Sequence, residues 1–246
     1  MSEIIKTEAV VLSKLNYGDT SSIASLYTKE FGKLSAILKG GRSPKSKIGL
    51  IVDPLNHLQV IMYKKDTREL QLISSADIIS HFSKIKADFN KLKYCHAVLE
   101  LIKKLTGEHE ANAKLFRGVI RIFNLIEASN EPDEVLFGRF FLFFLKETGF
   151  ELQLEKCAVC GKTILPDSEL SYNYEIGILC GECRKDFLES FRLKPELFNY
   201  LRCLKQSKTT GNIDKEICEN ALVFMEKYLI YHFPEFKGIQ SFQLFK

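Results

Sequence analysis

The chain has 246 residues, of which 46% are hydrophobic and 27% charged, and its formal net charge is +4. These values argue against disorder outside loops and suit one large domain or two to three smaller ones sharing a core. The longest apolar stretch, Phe140–Leu145, is far below the roughly 20 residues of a membrane helix. Met1–Lys6 lacks a basic region followed by an apolar run, so a cytosolic, membrane-free location is expected.

Residues 1–80 read as strands. Ala9–Leu12, Ile23–Tyr27 and Leu34–Leu38 are short apolar runs, the last two separated by a turn at Gly32. Leu58, Val60 and Met62 fall on one face at period two, and Leu70 and Leu72 repeat that spacing after Lys65-Asp66-Thr67. Five short strands with turn signals between them predict a small β-barrel. The five-stranded nucleic-acid-binding barrel, the OB-fold, has this size, although strand count alone does not separate it from another five-stranded barrel.

Near residue 80 the period changes. Phe82, Ile85, Phe89, Leu92, Leu99 and Ile102 recur at helical spacing, and Thr106-Gly107 ends that predicted helix. Leu115, Val119, Ile122 and Ile126 form a second stripe. Asn130-Glu131-Pro132 signals a third start with Asn130 as candidate cap. The helix that follows is apolar on all sides, so central burial is expected, with Gly149 as its stop. Lys194-Pro195-Glu196 and Asp214 open two more helices. Acidic residues in this part read as solvated faces. The predicted division is a barrel domain at 1–80 and a helical domain at 81–246.

The seven cysteines include two close pairs. Cys157-Ala158-Val159-Cys160 and Cys180-Gly181-Glu182-Cys183 are separated by nineteen residues. Two residues between thiolates let one tight turn aim both sulfurs at one ion, and two such turns complete a tetrahedral zinc shell. Gly161 and Gly181 suit such turns. Four thiolates leave no open position for water, so a zinc held by Cys157, Cys160, Cys180 and Cys183 is expected to be structural. Cys95, Cys203 and Cys218 are isolated within helical patterns and read as small core residues.

Charge is unevenly placed. Residues 1–80 carry eleven Lys/Arg against eight Asp/Glu, residues 81–156 twelve against eleven, and residues 157–246 twelve against twelve. Between Phe31 and Val52 stand Lys33, Lys39, Arg42, Lys45 and Lys47 with no acidic residue. Glycines, serines and a proline make Lys39–Lys47 a loop, which can follow a phosphate backbone through counterion release. A solvated hairpin tip has the same composition. Tyr17, Tyr27, Phe31 and Tyr63 are candidate base-stacking residues on such a barrel.

Motifs of common enzymes are missing. There is no G-x-x-x-x-G-K-[ST] loop, no H-x-E deaminase signature, no complete H-E-x-x-H and no G-x-S-x-G elbow. The chain reads as a non-enzyme. A zinc-stabilised protein-interaction scaffold with incidental nucleic-acid binding is the alternative.

In order along the chain, Thr7–Leu12, Tyr17-Gly18-Asp19, Leu26-Tyr27-Thr28, Phe31-Gly32-Lys33 and Lys39–Lys47 resemble the N-terminal barrel of the RecO family of bacterial recombination mediators. Phe140–Gly149 followed by Cys157–Gly161 resembles the helix leading into that family's zinc module. The resemblance implies an α+β protein: an N-terminal OB-fold, then an all-α domain carrying the four-cysteine module at 157–183. It implies binding of single- and double-stranded DNA and annealing of complementary strands. It further implies assistance, with RecR, to RecA loading on strands coated by single-strand-binding protein (SSB), in the bacterial cytoplasm at the nucleoid. The family's SSB contact lies in its helical domain. Some members lack the four cysteines, so annealing does not depend on zinc.

Overall fold

The computed structural model describes residues 3–165, 169–187, 191–206 and 214–244. The chain divides into two compact units, residues 1–129 with 239–246, and residues 130–238.

Five strands open the first unit: β1 (Glu3–Tyr17), β2 (Ser21–Thr28), β3 (Gly32–Leu38), β4 (His57–Lys64) and β5 (Leu70–Ser80). They close into a barrel in the order β1-β2-β3-β5-β4. Every pairing is antiparallel except the short parallel contact of β3 with β5. Alternation sends Ile5, Ala9, Leu26, Leu34, Val60 and Met62 into one dry interior. β1 is far longer than its apolar run, because its edge residues Glu3–Lys6 pair with β4. A register shift between Val11 and Ser13 bends it.

One helix was not expected. Lys47 begins α1 (Lys47–Ile51), and the loop proper ends at Ser46, whose hydroxyl accepts the N–H of Gly49. Ile48, Ile51 and Val52 pack against the barrel interior. α1 approaches the loop so closely that a Cβ on Gly49 would lie 1.8 Å from the carbonyl oxygen of Gly41.

The strand-to-helix change falls at residue 80, yet α2 (Ser83–Ala87), α3 (Phe89–Leu105) and α4 (Ala113–Ala128) pack in the same unit as the barrel. The single helix expected from Phe82 to Thr106 is two. Asp88 is extended, and its carboxylate accepts the N–H groups of Asn90 and Lys91 at the start of α3. Phe89 consequently lies 63% exposed, while Tyr94, Cys95, Val98 and Ile102 form the buried face. α8 (Ser241–Leu244) returns to α3, where Tyr94 meets Phe242 edge-on at 5.6 Å. Glu100, read from the sequence as solvated, accepts the N–H groups of Gln240 and Ser241 and the Ser241 hydroxyl, at 2.9–3.0 Å.

The second unit starts with α5 (Asp133–Glu147). Asn130 is not its cap. Pro132 holds that position with φ −55, and Asp133 and Glu134 supply the acidic first turn. Most of α5 is buried, as its all-round apolar sequence requires. It ends at Gly149 (φ +88) in a Schellman turn, with Phe150 N–H on Leu145 O and Gly149 N–H on Lys146 O. A small sheet of β6 (Leu170–Asn173), β7 (Gly177–Leu179) and β8 (Phe191–Leu193) follows, in the order β7-β6-β8. Then come α6 (Pro195–Lys205) and α7 (Lys215–His232), which both pack on α5. Cys95 and Cys218 are buried and Cys203 is half-buried, and none of the three forms a disulfide among the described residues. Among the described residues no helix is long and apolar enough to cross a membrane.

Candidate nucleic-acid interface and candidate metal centre

The basic segment splits into two parts with different physics. Lys39, Arg42, Lys45 and Lys47 are exposed, and none forms an ion pair among the described residues. Their loop is shaped by backbone bonds: Gly41 N–H to Leu38 O, Ser43 N–H to Gly40 O, Ser46 N–H to Ser43 O. Arg42 fastens it to the β1–β2 turn, donating from its backbone N–H to Thr20 O and from its guanidinium to Gly18 O at 2.8 Å. One guanidinium donor of five is used this way, which leaves the remainder facing solvent.

Lys33 is a correction. It is 8% exposed, and its ammonium donates to Lys103 O and Thr106 O, each at 2.7 Å, with Glu108 at 3.5 Å. The side chain satisfies carbonyls at the C-terminal end of α3, where a cation is favoured by the helix dipole. The ammonium is thus committed to these oxygens and mostly withdrawn from solvent, unlike the other cations of the segment. The segment after α3 seals it further: His109 N–H bonds Lys33 O. A Cβ on Gly32 (φ +65) would lie 2.3 Å from Glu110 O, so only glycine permits this approach.

The candidate stackers divide similarly. Tyr27 is buried at 1%, its ring 6.0 Å from Phe116, and cannot meet a base. Phe31 packs half-buried against the barrel interior, with the Lys64 ammonium 5.5 Å from its ring centre. Tyr17 and Tyr63 remain at the surface, 52% and 36% exposed. Sequence reasoning missed a second cationic feature. A cleft of about 560 Å³ is lined by Lys29, Arg117 and Arg121 with Phe116, Ile120 and Leu125. The four-residue step from Arg117 to Arg121 on α4 was its signal in the sequence. Lys29 is already engaged there by Glu8 at 2.6 Å, and that bond holds the Glu8 carboxyl below its usual range.

The four expected metal ligands converge. The sulfurs of Cys157, Cys160, Cys180 and Cys183 all lie within 4.8 Å of one another, with Cys160 and Cys180 at 3.8 Å. A regular tetrahedron with metal–sulfur bonds of about 2.3 Å has edges of about 3.8 Å. The first pair sits on a turn closed by Gly161 N–H on Cys157 O and anchored by Ala158 N–H on Ile178 O of β7. Gly161 adopts φ +71, whereas Gly181 lies outside the left-handed region. The second pair leads into a 3-10 turn, Cys183–Asp186. The β6–β7 hairpin brings it back, so that Cys180 N–H points at the Cys157 sulfur, 3.5 Å away.

Burial pushes the Cys157 thiol up, but N–H groups of Cys160, Cys180 and Val159 outweigh it and hold the pKa at about 6. Cys183 is pushed up to about 12 by burial and by the other thiols. A cluster that favours one thiolate and penalises the next is one that a cation relieves. The donor set and spacing fit a tetrahedral metal ion.

The chain resembles known proteins along most of its length. Residues 1–82 match the family described as "Recombination protein O N terminal", and residues 86–237 match "Recombination protein O C terminal". The DNA repair protein RecO of Chlorobium limicola is 35% identical over 166 residues, 68% of this chain and 64% of that relative. That of Chlorobaculum parvum is 36% identical over 167 residues, 68% and 64%. That of Chlorobium phaeobacteroides is 29% identical over 220 residues, 87% and 84%. The matched stretch thus covers slightly less than two thirds of the first of these relatives. With both family halves matched in order across the barrel and the unit with the four clustered cysteines, the chain belongs to the RecO family of DNA repair proteins.

Proposed function

We propose that this chain is a non-enzymatic DNA-binding protein that anneals complementary single strands and, with RecR, assists RecA loading on SSB-coated DNA. The observation that carries the reading is the Lys39–Lys47 loop: four exposed cations without acidic partners among the described residues, displayed on a closed five-stranded barrel. Neutralising phosphates lets two like-charged strands approach, and base pairing then supplies the driving energy. No covalent step is needed.

The ion at Cys157, Cys160, Cys180 and Cys183 is zinc in this reading, chosen by four thiolates in tetrahedral array. Its role is architectural, tying the Cys157 turn to the β6–β7 hairpin. The bacterial cytoplasm, at the nucleoid, is the expected location. The deciding experiment mixes complementary strands with and without SSB and follows duplex formation. Faster annealing with the protein, reduced by Lys39→Ala/Arg42→Ala/Lys45→Ala/Lys47→Ala, supports the proposal. Annealing at the spontaneous rate in the presence of the protein would overturn it.

A further inference from the structure

The four clustered cysteines differ in what surrounds them. Cys157 is buried, Cys180 and Cys183 are half-buried, and Cys160 is exposed. The N–H groups of Val159, Cys160 and Cys180 converge on the Cys157 sulfur, so its electron pairs are occupied and its approach is covered. Cys160 stands on the open side of the same turn, beside the exposed Val159. Its sulfur lies 3.8 Å from that of Cys180.

The backbone around the two pairs is held unequally. The Cys157 turn is fastened by Cys157 N–H on Lys162 O, Gly161 N–H on Cys157 O and Ala158 N–H on Ile178 O, at 2.8–3.0 Å. Lys156 and Thr163 bridge its two ends. Cys180 follows directly on β7, which pairs with β6. Beyond Cys180, the turn's backbone bonds among the described residues are its own: Arg184 N–H on Cys180 O at 3.0 Å and Lys185 N–H on Glu182 O at 3.3 Å.

We infer that Cys160 is a site of oxidation, and that a hydroperoxide closes a Cys160–Cys180 disulfide that releases the metal ion. The inference deepens the metal reading of the four cysteines and rests on it. The thiolate is the nucleophile, and a sulfur that ligates a metal at the surface is already deprotonated. The Cys160 sulfur attacks one peroxide oxygen. An S–O bond forms, the O–O bond breaks, and the hydroxide set free takes up a proton. Cys180 then attacks the sulfenic acid at Cys160. The S–S bond forms, the S–O bond breaks, and a second hydroxide leaves and is protonated. Two electrons pass from the sulfur pair to one peroxide, which becomes two waters, and the metal ion keeps its oxidation state.

The two sulfurs must close from 3.8 Å to about 2.05 Å. The second turn, bonded only within itself beyond Cys180, can follow that movement. Cys157 and Cys183 alone do not complete a tetrahedral shell. After oxidation the Cys157 turn and the β6–β7 hairpin keep their backbone bonds and are joined by the disulfide, while the Cys183 turn loses its tie.

The test uses the full chain loaded with zinc and treated with graded hydrogen peroxide. A chromogenic chelator reads released zinc. Alkylation, digestion and mass spectrometry map the cysteines. Zinc release should coincide with a Cys160–Cys180 disulfide, with Cys157 and Cys183 recovered as thiols. Dithiothreitol with added zinc should restore the starting state. Cys160→His supplies a ligand that zinc accepts and that cannot form the disulfide, so it should keep its metal at peroxide concentrations that empty the wild type. Mild alkylation of the zinc-loaded wild type should mark Cys160 first among the four, a measurement that needs no variant. A Cys157–Cys160 or Cys180–Cys183 disulfide, zinc lost without a disulfide, or equal sensitivity of Cys160→His would overturn the inference. A reduced chain that takes up no zinc would instead refute the metal reading itself.

Discussion

Lys33 separates structural from functional charge within one short segment. Replacing it with Ala removes two charge-assisted hydrogen bonds, each 2.7 Å long, to Lys103 O and Thr106 O at the end of α3. Each such bond contributes about 1.5 kcal/mol or more net, and the carbonyls left behind lose their partner in a largely buried place. The expected destabilisation is therefore about 3 kcal/mol, or roughly 10 °C in the melting of the first unit. Urea unfolding followed by circular dichroism measures it, alongside the salt dependence of DNA binding under native conditions. Stability should fall while the salt slope stays at the wild-type value. Unchanged stability with a flattened slope would refute the reasoning, because it would make Lys33 a phosphate ligand and not a helix cap.

Other consequences are equally specific. Gly49→Ala should cost about 2 kcal/mol or more and shift the loop amides in NMR spectra, because its Cβ would collide with Gly41 O; an unperturbed loop would show that α1 does not touch it. Chelating the metal assigned to the four cysteines should speed amide exchange in β6 and β7 while leaving the barrel protected; equal loss in both would contradict a module confined to the second unit. Glu100 is pushed up by burial but held below its usual value by the Lys104 ammonium and the Ser241 and Gln240 N–H groups. Its stabilising contribution is thus present above the ordinary carboxylate value of 4.5 and is lost as pH falls through the lower folded value. Protection of the Ile239–Leu244 amides should fade in that acid window, and Glu100→Gln should abolish the pH dependence.

What was legible in the sequence is what depends on neighbours in sequence. Period-two alternation at Leu58, Val60 and Met62 fixed their inward face, and the two Cys-x-x-Cys spacings picked out the four sulfurs that converge, since each turn is set within a few residues. The Gly149 stop and the Pro195 start were readable for the same reason. Long-range contacts were not readable. Nothing near Lys33 announces that carbonyls 70 and 73 residues later will close over its ammonium. Glu100 looked solvated because its partners, Gln240 and Ser241, lie 140 and 141 residues away. α1 was missed because five residues are too few to show a helical period. At Asp88 the helical spacing of Ile85, Phe89 and Leu92 continued across the break and hid a cap, and at Asn130 a good capping residue lost to Pro132, whose ring already fixes the backbone angle.

The central claim is that the exposed loop, without Lys33, neutralises phosphates. The most direct measurement is the slope of log affinity against log salt for a single-stranded oligonucleotide, in the wild type and in the Lys39→Ala/Arg42→Ala/Lys45→Ala/Lys47→Ala variant. Each neutralised phosphate of a single strand adds roughly 0.7 to that slope, so four should add about 2.8. Between about 50 and 200 mM salt the wild type should then lose about fifty-fold more affinity than the variant. Parallel slopes for the two proteins would contradict the claim.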